Sequence, residues 1–183
     1  MTIIRRIEKL LENKNNIVIA IDGQSGSGKS TLGQKLADYF NGLLIHMDDY
    51  FLAPAMKTNA RLSQSGGNVH HERLKEELFK NLSNATFNLR KFNCMTNILE
   101  DSIVCSNNKV IIVEGVYSFH RNLRDFYDLK ILLTIPTDVQ LNRIKERSGE
   151  FMLNRFIKEW IPLENHYFKE ENIEKIADII LEN

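Results

Sequence analysis

The chain has 183 residues, of which 43% are hydrophobic and 26% charged, as expected of one globular domain with a substantial buried core. It contains only 3 prolines and 9 glycines, which argues against a fibrous or disordered protein. Lysine plus arginine and aspartate plus glutamate each total 24, so no net positive field favours binding to nucleic acid or to an anionic membrane.

The start of the sequence, residues 1–6, lacks the apolar core of a signal peptide. The longest aliphatic run, residues 17–21, is far shorter than the ~20 residues that a membrane-spanning helix needs. We therefore expect a cytoplasmic protein with a small-molecule partner and with no nucleic-acid or membrane partner. Formation of a homo-oligomer is left open.

The aliphatic run at residues 17–21 predicts a strand covered on both faces, and a glycine-rich motif follows it. The motif matches the phosphate-binding P-loop, whose glycines let successive N–H groups face phosphate oxygens at a helix N terminus. The alternative is a turn that merely joins strand to helix. We expect ATP to bind here, through Gly23, Ser25, Gly26, Ser27, Gly28, Lys29, Ser30 and Thr31.

Within this motif, Lys29 is expected to bridge the β- and γ-phosphates, and Ser30 to offer its hydroxyl to Mg²⁺. The sequence lacks the Asn-Lys-x-Asp segment with which GTPases read guanine, and no aliphatic strand ends in the Asp-Glu of energy-coupling ATPases. A small-molecule kinase instead needs a base for the acceptor hydroxyl and arginines for the transferred phosphoryl group.

A helix with an apolar stripe through Leu32 and Leu36 is predicted next, and then a weaker strand at residues 43–45. Asp48 and Asp49 follow this strand, at the edge of a parallel sheet where ligands bind. Either aspartate could accept the acceptor's proton or hold Mg²⁺ through water, and the alternative is that the pair caps a turn.

The spacing of Leu74, Leu78, Phe79 and Leu82 predicts another core-packed helix. The following region, about residues 85–108, fits neither periodicity well. Its segments 86–92 and 103–105 are interpreted as a small hairpin arm beside the sheet.

Residues 110–113 are the second strong strand, and Glu114 closes it. A carboxylate is costly to bury there without a cation or a hydrogen-bond donor. We therefore expect Glu114 to bind magnesium directly or indirectly, the alternative being a partner for a nearby backbone amide.

Strands at residues 130–135 and 177–181 complete the pattern, with helical segments between them. Thr137 and Gln140 have the spacing of a capping box, and the helix they begin carries Arg143 and Arg147 on one face. These arginines are candidates to reach the phosphates, or else they belong to a solvated face. A lid at about residues 143–155, a hinge at 148–149 and a kink at Pro162 are predicted.

Strands that alternate with helices indicate an α/β protein with a five-stranded parallel sheet flanked by helices. No repeat, linker or low-complexity tract divides the sequence, so residues 1–183 are predicted to form a single domain.

Four motifs follow one another along the chain: Ile21-Asp22-Gly23-Gln24-Ser25-Gly26-Ser27-Gly28-Lys29-Ser30-Thr31, Asp48-Asp49-Tyr50-Phe51, Gly66-Gly67-Asn68-Val69 and Val113-Glu114-Gly115. In this order they resemble the uridine kinase family of P-loop phosphotransferases, over about residues 16–181. Residues 123–130 and 155–165 are similar to short bacterial uridine kinase-like members. The resemblance implies a P-loop NTPase fold of the nucleoside and nucleotide kinase type.

The resemblance also implies an ATP- and Mg²⁺-dependent transfer to the 5′-hydroxyl of uridine or cytidine. Asp48 corresponds to the family's general base, Tyr50 and Phe51 to an aromatic wall beside the acceptor, and the arginine-bearing helices to its lid.

Three departures concern the acceptor. His70 stands near the position of a family aspartate that holds ribose hydroxyls, Phe92 is the only aromatic residue at the expected place in the hairpin arm, and the lid is shortened. The alternatives are a kinase of another alcohol, such as pantothenate, nicotinamide riboside or a sugar acid, or a nucleotide-sensing regulatory protein without phosphotransfer. The sequence leaves open the choice of ATP over GTP and which arginine contacts the phosphates.

Overall fold

A computed structural model describes residues 2–84, 86–100, 103–106 and 108–183 of the chain. Its strands are β1 (Ile17–Gly23), β2 (Leu43–His46), β3 (Thr86–Leu89), β4 (Phe92–Asn93), β5 (Ile98–Leu99), β6 (Ile103–Ser106), β7 (Val110–Glu114), β8 (Leu129–Thr134) and β9 (Ile179–Glu182). Its α-helices are α1 (Ile3–Leu11), α2 (Lys29–Phe40), α3 (Asn59–Leu62), α4 (His71–Glu77), α5 (Thr137–Arg155), α6 (Ile161–Glu170) and α7 (Ile173–Ile176). None of the helices in these ranges has the length and apolar character needed to cross a membrane.

Five parallel strands form the main sheet in the order β2-β7-β1-β8-β9. Every residue of the central strand β1 is buried, because helices cover both faces of the sheet. Ile7 of α1 and Leu36 of α2 pack on one face, whereas Leu74 of α4 and Tyr167 of α6 pack on the other. The predicted α/β fold with five parallel strands is confirmed.

The carboxyl ends of three central strands meet at one edge of the sheet. Ile21 of β1 pairs with Glu114 of β7, and Glu114 in turn lies opposite His46 of β2. The loop after β1 and the turn after β2 therefore reach the same edge as Glu114, which is where ligands bind in open α/β sheets.

Two antiparallel pairs lie outside the main sheet. β3 pairs with β6, as the sequence predicted for the hairpin arm, and β4 pairs with β5. Phe92 belongs to the second pair instead of extending the first. Residues 85, 101, 102 and 107 of the predicted arm lie outside the described residues.

Two predicted helix signals differ from the structure. α4 ends at Glu77 and a 3₁₀ turn follows, because the side-chain amide of Asn81 donates hydrogen bonds to the last helical carbonyls. The capping box at the start of α5 does not form: Pro136 occupies the extended capping position, Thr137 is already helical, and Gln140 is buried.

The backbone of α5 and the segment after it is irregular at two points. Gly149 interrupts α5 with φ 79° and ψ 169°, at the position predicted as a hinge. A π-helical turn, Phe156–Trp160, then leads into α6, and the N–H of Ile161 donates to the carbonyl of Phe156. Pro162 lies in the first turn of α6, where its missing N–H is least needed, so the irregularity precedes the proline.

Candidate active site

A cavity of about 1460 Å³ opens at the carboxyl edge of the sheet. Its wall is formed by the loop between β1 and α2, the turns after β2 and β7, and the segment from α5 to α6. This volume exceeds that of most small-molecule sites, so the cavity has room for two ligands side by side.

The P-loop presents its backbone to this cavity. Gly26 and Gly28 have φ values of 84° and 93°, which residues with a side chain rarely adopt. The capping residue of α2 is Gly28, which has no side chain to accept hydrogen bonds from the first N–H groups of the helix, so these groups can bind an anion. Six of the eight predicted phosphate-binding residues line the cavity: Ser25, Gly26, Gly28, Lys29, Ser30 and Thr31.

The other two, Gly23 and Ser27, lie beneath the loop and shape it. A Cβ on Gly23 would come within 2.1 Å of the Leu133 carbonyl oxygen, so only glycine fits between β1 and β8 there. The Ser27 side chain is fully buried, and its hydroxyl has no hydrogen-bond partner among the described residues. Neither side chain faces the cavity.

The Lys29 side chain is held in place by hydrogen bonds to carbonyl groups of the P-loop. Its Nζ donates hydrogen bonds to the carbonyls of Gly23 at 2.8 Å and Gln24 at 3.0 Å. Burial lowers its pKa, and the negative charge of Asp22 opposes this effect. The ammonium group is therefore fixed at the mouth of the loop, where it can meet phosphate oxygens.

Oxygen ligands for a divalent cation come together at Ser30 and Glu114. The Ser30 hydroxyl donates to Glu114 Oε2 at 3.2 Å, and both residues line the cavity together with Asp48. The described residues contain no cluster of three or more metal-binding side chains. This donor set fits Mg²⁺, which proteins often hold with one or two side chains and the phosphates of the substrate.

His46 is a partner of Glu114 that sequence reasoning missed. Its Nδ1 donates to Glu114 Oε1 at 2.5 Å, and this hydrogen bond raises the pKa of His46. The two residues end neighbouring strands, but only the pairing of β2 with β7 brings them together. His46 fixes the orientation of the Glu114 carboxylate.

The structure separates the two adjacent aspartates. Asp48 lines the cavity with its side chain still open to solvent, and partial desolvation by the cavity wall, followed by the nearby charge of Glu114, raises its pKa. The Asp49 carboxylate instead faces Lys91 at 3.2 Å. Of this pair, Asp48 has the position and the raised proton affinity of a general base.

Both predicted arginines reach the cavity wall. Arg143 Nη1 donates to the carbonyl of Gly26 at 3.1 Å, so this guanidinium touches the P-loop directly. Arg147 lines the same cavity, on the α5 face that carries Arg143. Arg155, beyond Gly149, also lines it and pairs with Glu159 at 2.9 Å.

Of the four residues predicted to contact the acceptor, only Phe51 lines the cavity. Tyr50 is buried in the core, where its hydroxyl donates to Glu77 and its ring lies 4.1 Å from the Arg73 guanidinium carbon. Phe92 is buried in β4, which packs against the turn that follows β2. Both aromatic rings stabilise the wall from behind and do not form its surface.

His70 does not line the cavity either, and its neighbour His71 is buried instead of exposed to solvent. Burial lowers the pKa of His70, so it stays neutral down to lower pH than an ordinary histidine. The His71 ring stacks on His120 with centroids 4.1 Å apart, and burial lowers its pKa to about 4. The stacked rings of His71 and His120 help to fix the conformation of the loop that precedes α4.

Asn68 and Tyr117 also line the cavity, although the sequence analysis gave neither residue a role in the site. Tyr117 has φ 78°, a strained conformation for a residue with a side chain, and its ring lies edge-on to Tyr167 at 4.9 Å. Burial raises the pKa of the Tyr117 hydroxyl, and the nearby Asn68 side chain opposes this effect. Backbone strain of this kind is typical of functional sites.

Asp22, at the end of β1, connects the P-loop to α6. Its carboxylate accepts hydrogen bonds from the N–H groups of Gly23 at 2.7 Å and Phe119 at 2.9 Å, and from the Tyr167 hydroxyl at 2.7 Å. Burial, the largest influence, raises its pKa to about 6 despite these donors.

We expect Tyr167→Phe to lower the free energy of unfolding by about 1.5–3 kcal/mol, since it leaves a buried carboxylate with one donor fewer. Tyr127→Phe is the matched control, because the Tyr127 hydroxyl is buried without a partner among the described residues. That variant should be neutral or slightly stabilised. Urea unfolding of both variants checks this, and equal losses would contradict the role given to the Asp22 hydrogen bond.

Glu164 of α6 is the other contact between α6 and the P-loop. Its Oε2 accepts from the backbone N–H of Ser25 at 3.0 Å, and its Oε1 accepts from the Ser25 hydroxyl at 2.5 Å. Glu164 is only 3% exposed. Ser25 and Glu164 are 139 residues apart along the chain, so a sequence motif of a few adjacent residues cannot predict their contact.

A family model described as "Phosphoribulokinase / Uridine kinase family" matches residues 18–148. A dephospho-CoA kinase of Fusobacterium nucleatum subsp. nucleatum is 27% identical, over 91% of this chain and 89% of its own. A uridine kinase of Clostridium perfringens is 26% identical, over 92% and 88%. Among solved structures, a "possible uridine kinase" from Bacillus stearothermophilus superposes with a TM-score of 0.69 at 21% identity, over 99% and 100% of the two chains.

Proposed function

Because this chain belongs to the phosphoribulokinase/uridine kinase family and is thus a P-loop kinase, we propose that it transfers the γ-phosphoryl group of ATP to the 5′-hydroxyl of uridine or cytidine. One observation carries this proposal: a single cavity is lined by Lys29, by Asp48 and by Arg143. A protein that only senses a nucleotide has no need of a carboxylate in the same cavity as the phosphate-binding loop.

In the proposed reaction, Asp48 accepts the proton of the acceptor hydroxyl, whose oxygen attacks the γ-phosphorus. The bond between the γ-phosphorus and the oxygen that bridges it to the β-phosphate breaks, and ADP leaves with that oxygen. The acceptor becomes a phosphate monoester. Lys29, Arg143 and Arg147 stabilise the charge on the transferred group, which is the main contribution that a kinase can make.

The site would use Mg²⁺, held by Ser30 and Glu114. When bound, this ion neutralises phosphate charge and orients the phosphates. The chain's own contribution is to hold the Glu114 carboxylate in place through His46 on one oxygen and the Ser30 hydroxyl on the other.

The acceptor would lie against the side of the cavity formed by Phe51, Asn68 and Tyr117. The partly exposed Phe51 ring offers apolar surface to a pyrimidine, and the Asn68 amide can both donate and accept hydrogen bonds. These properties support a nucleoside acceptor, although Tyr50, His70 and Phe92 do not line this wall.

Dephospho-CoA is the second candidate acceptor. The observation that favours it is the match to a protein named dephospho-CoA kinase, which covers as much of this chain as the match to uridine kinase does. A cavity of about 1460 Å³ has room for the larger acceptor as well.

The test is to measure ADP release from ATP and Mg²⁺ with each acceptor in turn: uridine, cytidine, dephospho-CoA, pantothenate, nicotinamide riboside and a sugar acid. We expect release to require an acceptor and kcat/KM to be highest for uridine or cytidine. The control is the same assay without acceptor. A clear preference for dephospho-CoA would support the second candidate, and release independent of every acceptor would contradict both.

A further inference from the structure

A glutamate side chain fills part of a loop that is built to bind phosphate. Both carboxylate oxygens of Glu164 accept hydrogen bonds from Ser25, one from its backbone N–H and one from its hydroxyl. A phosphoryl group would present the same kind of acceptor oxygens to these donors. Glu164 thus makes the contacts that a bound anion would make.

The position of Ser25 indicates which phosphate is concerned. Lys29 Nζ rests on the carbonyls of Gly23 and Gln24, immediately before Ser25. In a P-loop this lysine reaches the β- and γ-phosphates, so Ser25 lies on the side of the nucleotide site where these two phosphates bind.

The charged groups that act on Glu164 also indicate that it lies between the P-loop and the candidate base. Burial, the largest influence, raises the pKa of Glu164; the hydrogen bonds from Ser25 and the charge of Lys29 lower it, and the charge of Asp48 raises it. Glu164 is therefore close enough to interact with both the phosphate-binding lysine and the candidate base. The transferred phosphoryl group must pass between those two residues.

A γ-phosphate and an ionised Glu164 cannot share this place without strong repulsion, because Glu164 is buried and like charges repel more strongly where water screens them less. The backbone of α6 is held by the hydrogen bond from the Tyr167 hydroxyl to Asp22. The Glu164 side chain has rotatable bonds, so it can leave Ser25 while the helix stays in place.

We propose that Glu164 is a specificity-determining residue of the nucleotide site. Its carboxylate is hydrogen-bonded to Ser25 at the place that the transferred phosphoryl group would occupy. The carboxylate keeps this place when a nucleoside diphosphate is bound and is displaced by a nucleoside triphosphate. This inference rests on the proposed ATP-dependent transfer. Its consequence is that Glu164 lowers the affinity for the triphosphate and leaves that for the diphosphate nearly unchanged.

The test compares the dissociation constants of ADP and of an ATP analogue with a non-hydrolysable β,γ-imido bridge, measured by calorimetry with Mg²⁺ and without acceptor. Glu164→Gln keeps an oxygen acceptor and an N–H donor for Ser25 but removes the charge. We expect it to bind the analogue at least ~10-fold more tightly, and ADP within roughly 2-fold of the unaltered protein. Glu170→Gln makes the same charge change on an exposed part of α6 and should alter neither constant.

A second variant covers the case in which Glu164→Gln does not fold. Glu164→Asp keeps the charge but shortens the side chain by one methylene, which withdraws the carboxylate from the intact Ser25 donors, so we expect the analogue to bind roughly 3-fold more tightly and ADP as before. Equal changes for the two nucleotides, or weaker binding of the analogue by either variant, would overturn the inference while leaving the kinase reaction intact. Failure of the unaltered protein to bind either nucleotide would overturn the proposed function and this inference with it.

Discussion

Replacing Lys29 with alanine is expected to lower kcat/KM for phosphoryl transfer by roughly 10³-fold, while the fold survives. The loss follows from charge, since Lys29 is the ammonium group that the P-loop holds toward the cavity. The fold should survive because the contacts of Lys29 are two loop carbonyls and do not include the apolar core. Steady-state ADP release with the best acceptor measures the effect.

Lys9→Ala is the control for this variant, because Lys9 is an exposed lysine in the last turn of α1, remote from the cavity. Its kcat/KM should equal that of the unaltered protein. Thermal unfolding of Lys29→Ala should show a cooperative transition, which separates a catalytic loss from a folding defect. Unchanged turnover in this folded variant would exclude a phosphate-binding role for the loop.

The Asp48→Asn substitution should leave nucleotide binding largely intact and lower kcat by ~10²–10⁴-fold, as expected when a general base is removed. An amide has almost the shape of the carboxylate but cannot take up the acceptor's proton. Because partial desolvation at the cavity wall and the charge of Glu114 raise the pKa of Asp48, the acid limb of the kcat profile should lie above the ordinary pKa of aspartate. Activity then falls as pH decreases through this raised pKa, since only the ionised carboxylate accepts a proton.

Asp49→Asn is the matched control, a neighbouring carboxylate with the same change of charge. Its carboxylate pairs with Lys91 and does not line the cavity, so the loss in kcat should be much smaller. If Asp49→Asn proved the more damaging of the two, the base would be misassigned by one residue. Calorimetric binding of a non-hydrolysable ATP analogue to both variants separates effects on binding from effects on chemistry.

The parts of the site that could be predicted from the sequence are those encoded over a few adjacent residues. The P-loop motif specifies its own backbone conformation through its glycines, and the aliphatic strands locate Asp48 and Glu114 at the sheet edge. Strands β1, β7 and β8 are largely buried on both faces and produce continuous aliphatic runs. The partly exposed edge strands β2 and β9 have weaker patterns, which still located them in the sequence.

The parts that could not be predicted depend on contacts between residues far apart along the chain. Glu164 meets Ser25, and Tyr167 meets Asp22, only because α6 packs beside the P-loop. Tyr50 and Phe92 are the opposite case: the sequence places them at the acceptor, whereas both rings are buried away from the cavity. An aromatic ring suits both a buried core and a ligand-binding wall. Side-chain type alone does not separate these two environments.

The close approach of Gly23 to the Leu133 carbonyl, at the start of the P-loop, has an energetic consequence for ligand binding. Since β1 and β8 leave no room there for even a methyl group, the beginning of the loop is fixed when the sheet forms. That part of the backbone therefore loses its conformational entropy when the protein folds, and nucleotide binding does not have to order it again. The loop is preorganised, so a phosphate meets donors that are already in position.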